Sequence, residues 1–209
     1  MYNPKAFQIE DPAVATEFMR RHNFAVIVTS VDGCPQASHL PFIVDTSGAG
    51  LPTLFAHLAR ANPQWQTFDG AREALVIFQG PHAYVSPSLY EVHPAVPTWN
   101  YQAVHAYGIP RVIQATDETR AHVLALVHQH EATQPHPWQP GLPEDFIAGR
   151  LREVVAFRLD ITRVEAKFKL SQNRPATDRE NVTATFESSN HPSLRDLGRA
   201  MRASPGLPD

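Results

Sequence analysis

The chain has one cysteine, Cys34, so it can form no internal disulfide and build no cysteine-rich metal centre. That usage suits a reducing compartment. Long apolar runs are also missing. Nothing approaches the roughly 20 residues that a transmembrane helix needs, and the start, Met1-Tyr2-Asn3-Pro4-Lys5-Ala6-Phe7, has no apolar signal core. A cytoplasmic protein with no membrane partner is expected. Positive charge is scarce: 18 Lys and Arg stand against 21 Asp and Glu, a net charge of -3. A broad basic face for sequence-independent nucleic-acid binding is excluded, although a local basic patch is not. Proline, by contrast, is abundant at 19 residues in 209, so many stiff loops are expected around a core of ordinary hydrophobic content.

The stretch from Leu54 to Trp65 is the most informative. A short apolar strand leads to Asn62-Pro63, an N-cap followed by a proline at the first helical position. His57 and Arg60 lie just upstream of the free N–H groups that open a helix. An Arg fork beside a helix start suits a phosphate. The same residues also read as an ordinary strand-to-helix corner with a surface arginine.

Taken in order, Asp11-Pro12 opens a helix with Val14 and Phe18 on one face. Phe24–Val31 is a β-branched strand, Asp32-Gly33 a hairpin turn, and 36–45 the return strand, where Pro41 marks an edge, a bulge or a ligand's approach. Residues 73–79 form a strand that Gly80-Pro81 breaks, and 82–87 resumes it. Closely spaced strands with hairpin-like breaks predict a small antiparallel barrel. From Thr98 to Tyr107 the residues Trp99, Tyr101, Ala103, His105 and Tyr107 share one side, read as core, subunit interface or ligand platform. A short strand, 111–115, precedes a helix capped by Thr116 or Asp117, with Val123, Leu124 and Val127 as its stripe. His128, His130 and His136 lack the spacing of a metal site, and no metal is expected. A proline-rich connector, 133–143, leads to a short helix to Leu151. A long strand from Val154 then runs into Lys167-Phe168-Lys169-Leu170-Ser171-Gln172-Asn173-Arg174, whose donors suit a phosphate or a heterocycle edge, or a solvated strand end. Thr177-Asp178-Arg179-Glu180 reads as a capping box. A last helix from Pro192 carries Leu194, Leu197 and Met201 beside Arg195, Arg199 and Arg202, and 204–209 reads as a disordered tail.

Five blocks in order, His39-Leu40-Pro41-Phe42, the run from Ala56 to Gln64, the run from Phe78 to Pro87, Pro97-Thr98-Trp99-Asn100-Tyr101, and the run from Lys167 to Arg174, resemble the PaiB-type family of FMN-binding negative transcriptional regulators. The resemblance runs from Met1 to about Met201. It implies a mainly β chain with flanking helices: an FMN-binding split β-barrel, antiparallel and Greek-key-like, related to pyridoxamine-phosphate-oxidase-like flavoproteins. It also implies a homodimer with flavin at the subunit interface. The barrel domain would cover 1–190 with a helical insertion around 116–151, and 191–209 would be a C-terminal helix and tail. Carried onto this chain, His57, Arg60 and Asn62 would hold the FMN phosphate. Ser38, His39, Leu40 and Pro41 would pass along the flavin ring. Lys169, Ser171 and Gln172 are candidates for phosphate or ring contacts, and Trp99 and Asn100 would close the pocket. Leu89 stands where the family commonly carries Trp, which bears on flavin affinity more than on fold.

Three functions compete on this evidence. The first is a flavin-binding repressor acting through DNA or a protein partner, with the Arg195, Arg199 and Arg202 helix as its candidate surface. The second is an FMN-dependent oxidoreductase using a nicotinamide reductant, with His39, His57, His82 or His105 as a proton donor. The third, ranked last, is a haem-binding split barrel.

Overall fold

A computed structural model describes residues 1–139 and 141–204. Pro140 of the connector and residues 205–209 of the expected tail lie outside the described residues. Among the described residues, eight strands and five α-helices follow in chain order. The strands are β1 (Gln8–Ile9), β2 (Phe24–Val31), β3 (Cys34–Pro41), β4 (Ile43–Asp45), β5 (Thr53–Ala59), β6 (Ala74–Val85), β7 (Thr98–Val112) and β8 (Val154–Lys169). The helices are α1 (Pro12–Arg21), α2 (Thr116–Glu131), α3 (Glu144–Arg152), α4 (Ala176–Glu187) and α5 (Pro192–Ala203). The sheet order is β3-β2-β6-β7-β8-β5-β4, with β1 added on β8. No helix among the described residues is long and apolar enough to cross a membrane.

The contacts divide the described residues into two compact units: 1–15, 79–104 and 165–204 form one, and 16–78 and 105–164 the other. The long strands β6, β7 and β8 run from one unit into the other.

In the second unit, β2 and β3 form a hairpin in register from Val31↔Cys34 to Phe24↔Pro41. Its two turn residues, Asp32 and Gly33, both take positive φ, as a tight turn matched to strand twist requires. The expected return strand 36–45 is in fact two strands. Phe42 separates them: it is fully buried and donates its N–H to Asn23 O (2.8 Å) rather than to a ladder. β5 pairs antiparallel with β4 and with the first half of β8, from Thr53↔Asp160 to Ala59↔Val154. Leu54, Ala56 and Leu58 alternate into a core with Val155, Phe157 and Leu159. Phe157 meets Phe42 edge-on and Phe68 at 4.7 Å between centroids. At Gly108 of β7 a Cβ would lie 2.4 Å from Asp160 O, so the two backbones come closer than any side chain allows.

In the first unit, β1 pairs with the end of β8, Gln8↔Lys167. Helices α4 and α5 pack through Val182, Phe186, Leu197 and Met201, all buried. At their contact Gly198 leaves only 2.8 Å between a notional Cβ and Glu187 N.

Several local expectations fail for identifiable reasons. Gly80-Pro81 does not break β6. The registered pairing with β2 ends at Ile77, so the missing N–H of Pro81 costs no bond to that neighbour. Residues 111–112 end β7 rather than start a new strand. Neither Thr116 nor Asp117 caps α2, whose N-cap is Ala115 with no side-chain bond. The buried face of α2 is Thr119, His122 and Leu126, while Leu124 is exposed. The α1 face is Ala15, Phe18 and Met19, not Val14. The expected capping box is absent as well: Pro175 is the N-cap of α4. Asp178 instead turns inward and accepts from Glu91 N (2.8 Å) and Val92 N (3.2 Å).

Candidate functional site

The nominated residues fall into both units. Ser38, His39, Leu40, Pro41, His57, Arg60 and Asn62 belong to the second, and Trp99, Asn100, Lys169, Ser171 and Gln172 to the first.

Within the second unit, Asn62 does what its position predicts. Its Oδ1 accepts from Gln64 N (3.0 Å), capping a 3₁₀ turn, Pro63–Thr67. The turn is too short to carry the dipole of an α-helix, so that part of the expected anion site is missing. The other end of the Asn62 amide donates to Ser38 Oγ (2.9 Å), which joins the corner to edge strand β3. His39, Leu40 and Pro41 follow on that strand, with His39 stacked on exposed Phe24 and Leu40 buried. Beneath the corner, Gln64 is buried and donates to Ile27 O, Thr29 Oγ1 and Gln36 O at 3.1–3.3 Å. It clamps the turn to both strands of the hairpin, a role with no sequence signal beyond its place in the corner.

His57 and Arg60 point elsewhere. His57 Nδ1 lies 3.3 Å from Nε2 of His122 on α2, with the rings edge to face. Burial lowers the pKa of His57. Burial, and then the neighbouring His57, lower that of His122 to about 4. His122 Nδ1 is buried without a partner, which an unprotonated ring nitrogen tolerates better than an N–H donor does. The sequence hid His122 because the apolar stripe of α2 was placed one residue off. Arg60 donates from Nε to Arg152 O (2.7 Å) and from Nη2 to Val154 O (2.9 Å), stitching the end of β5 to the start of β8. It stands in the wall of a cleft of about 960 Å³ that also holds Arg111, Arg120 and Arg152.

Within the first unit, β7 begins with the reverse sense to a core reading: Trp99 is exposed and Tyr101 half-buried, while Asn100 and Gln102 are buried, and at Ala103, of the same row as Trp99, and Val104 the strand is buried on both sides. Exposed Trp99 and Tyr84 meet edge to face, and His82 lies beside Trp99. Lys169 donates to Trp99 O (2.8 Å) and to the Thr98 hydroxyl. Burial, then the charges of Lys167 and Arg174, push its pKa down. Lys167 is buried, donates to Tyr2 O and lies over the Tyr2 and Tyr101 rings, and Arg174 lies over the Tyr90 ring. Asn100 donates to Ser171 Oγ (2.8 Å), and its Oδ1 has no partner. Ser171 takes positive φ at the turn after β8. Gln172 is occupied by that turn: its Oε1 accepts from Leu170 N and its Nε2 donates to Phe168 O. Leu89 is half-buried in a 3₁₀ turn, Pro87–Leu89.

Residues 1–163 match the family described as "Putative FMN-binding domain". The chain is 34% identical over 203 residues to protease synthase and sporulation protein PAI 2 of Bacillus subtilis, covering 96% of each. It is 30% identical to an uncharacterized Aspergillus fumigatus protein, covering 82% of this chain and 85% of that one. Among solved structures, it resembles the FAD and heme binding protein of Mycobacterium smegmatis (TM-score 0.59, 16% identity, covering 91% of this chain and 96% of that one). It also resembles the flavocytochrome Anf3 of Azotobacter vinelandii (TM-score 0.59, 12% identity, 78% and 69%). These two likenesses concern the fold, which is the split β-barrel with flanking helices.

Proposed function

The chain belongs to the FMN-binding domain family, and from that premise we propose that it is an FMN-binding negative transcriptional regulator of the PaiB type, a cytoplasmic homodimer. The observation that carries the reading is likeness to the sporulation protein along almost the whole of both chains. The donor chemistry fits FMN. The phosphate is a dianion and needs cations, for which Lys169, with Arg174 and Lys167 near enough to act on its charge, is the candidate, and an anion beside Lys169 would offset the burial, and then the repulsion, that lower its pKa. The ring needs a flat apolar face with polar groups at its edge, and exposed Trp99 and Tyr84 offer such faces. In the second unit taken by itself, Ser38 and Asn62 are bonded to each other and Asn62 Oδ1 accepts from Gln64 N, while Arg60 keeps an Nη1 that its two carbonyl bonds do not use. FMN, when bound, supplies a two-electron redox centre, while the protein supplies binding and orientation.

One observation favours a second reading, an FMN-dependent oxidoreductase with a nicotinamide reductant. The cations nominated for DNA on α5 are already engaged. Arg202 pairs with Glu180 and Glu187, Arg199 with Asp196, and Arg195 donates to Ser189 O.

The test starts with the absorbance of the purified chain after FMN is added and the mixture desalted. A retained flavin band, lost in Lys169→Met while the melting transition stays cooperative, is the expected result. If the wild-type chain retains no flavin, the proposal fails. With flavin retained, anaerobic bleaching by NADPH supports the oxidoreductase, and a salt-sensitive, sequence-selective shift of DNA fragments supports the regulator.

A further inference from the structure

Helix α2 is held at few points. Of its 16 residues, Thr119, His122 and Leu126 are the buried ones, and its N-cap, Ala115, makes no side-chain bond. Helix α3, which follows it, buries none of its residues, and the Arg120–Glu144 pair joins the two. A surface helix is kept in place by its buried face far more than by intrinsic propensity. Beside that face lies a cavity of about 410 Å³, with Ile43, Phe55, Glu118, His122 and Ala125 among its walls. Among the described residues one side-chain hydrogen bond joins α2 to the sheet, between His122 Nε2 and His57 Nδ1 of β5 at 3.3 Å.

That bond has room for a single proton. Placed on His122 Nε2, it is donated to His57 Nδ1 and leaves His122 Nδ1 bare, which fits the burial of that nitrogen without a partner. An added proton spoils the arrangement wherever it goes. On His122 it creates a buried N–H with no acceptor. On His57 Nδ1 it either sets two N–H groups against each other or drives His122 into the same buried Nδ1–H form. The surrounding charges give no direct compensation. Glu118, one turn before His122 on α2, and Asp45 of β4 line the cavity. Asp45 is occupied by Ser47 N and Ser47 Oγ, and among the described residues no carboxylate bonds either ring. On β8, Arg158 and Asp160 stand opposite Phe55 and Thr53, on the face of the sheet that carries His57, and pair with each other. Burial lowers both histidine pKa values, and with the neighbouring His57 it takes that of His122 to about 4.

We propose that the His57–His122 pair is a pH-sensitive latch: an added proton releases helix α2 from β5 while the strands of the second unit stay folded. The helix contributes Thr116, Asp117, Thr119 and Arg120 to the wall of the cleft that holds Arg60, so its release opens that cleft on one side. Acidification thus acts first as a local opening, drawn from the weakly held end of the stability range.

Hydrogen–deuterium exchange of the full chain at pH 7, 6 and 5, each scaled for the intrinsic exchange rate at that pH, tests this by mass spectrometry. With His122 titrating near 6.5 in the released helix and near 4 in the docked one, protection of the α2 amides should fall about 20-fold between pH 7 and 5. The amides of β5 and β8 should keep theirs. In His122→Leu, which keeps an apolar side chain and cannot titrate, α2 protection should not change with pH. Equal loss in α2 and in the strands overturns the proposal, since the opening would then be global. So does α2 protection that is independent of pH in the wild-type chain, or that falls as steeply in His122→Leu. If that variant does not fold, the wild-type comparison of α2 with β5 and β8 decides by itself. The readout needs no bound flavin, so it stands apart from the function proposed above.

Discussion

Acidification should weaken this protein through His122. The ring is buried beneath α2, faces His57 at 3.3 Å, and has a pKa lowered from 6.5 to about 4. Asp45 and Glu118 line the small cavity beside it without lifting that value. The sign follows from proton counting. Below pH 6.5 the unfolded chain binds a proton at this histidine and the folded chain does not, so the stability present above 6.5 is lost as pH falls towards 4. A shift of about 2.5 pKa units corresponds to roughly 3 kcal/mol in full, of which about 2 kcal/mol is lost between pH 7 and 5. His57, also lowered, adds in the same direction. The assay is urea unfolding at pH 7, 6 and 5 for the wild-type chain and for His122→Leu, which keeps an apolar side chain at that position and cannot titrate. The wild-type curve should fall more steeply with pH than the variant's by about 2 kcal/mol. Parallel curves would refute the reasoning, and so would an NMR titration of His122 with a midpoint near 6.5.

Two further predictions concern the scaffold that positions the candidate residues. Gln64→Leu removes a buried amide donor shared among Ile27 O, Thr29 Oγ1 and Gln36 O, and should cost about 1–3 kcal/mol in urea unfolding; a change within a few tenths would show that the clamp is idle. Gly108→Ala places a Cβ 2.4 Å from Asp160 O and from Leu159 Cδ2. The backbone there cannot yield without parting β7 from β8, so a loss of at least about 3 kcal/mol is expected, and a variant melting at the wild-type temperature would contradict the close approach.

Local residue pattern was enough to place the strands with strong β-branched alternation, the Asp32-Gly33 turn, the Asn62 cap and the helices that open on proline. These features are local, set by backbone torsion, side-chain period and capping over a few residues. Family membership was legible too, because it rests on blocks of residues in order. Tertiary structure alone decided what those residues face. Trp99 of β7 is exposed, while its neighbour Asn100 is buried and donates to Ser171, a partner 71 residues away. Asp178, an intervening residue of the expected capping box, serves two N–H groups 87 and 86 residues upstream. His57 and Arg60 sit three residues apart, yet one meets α2 and the other the α3–β8 junction. Pro81 stays within a continuous strand because its neighbour β2 has already ended. The cleft is likewise assembled from three separated segments, 60–70, 111–120 and 148–156. A hydrogen bond or an ion pair between distant residues leaves no trace in local pattern, since its energy depends on a distance that only the folded chain defines.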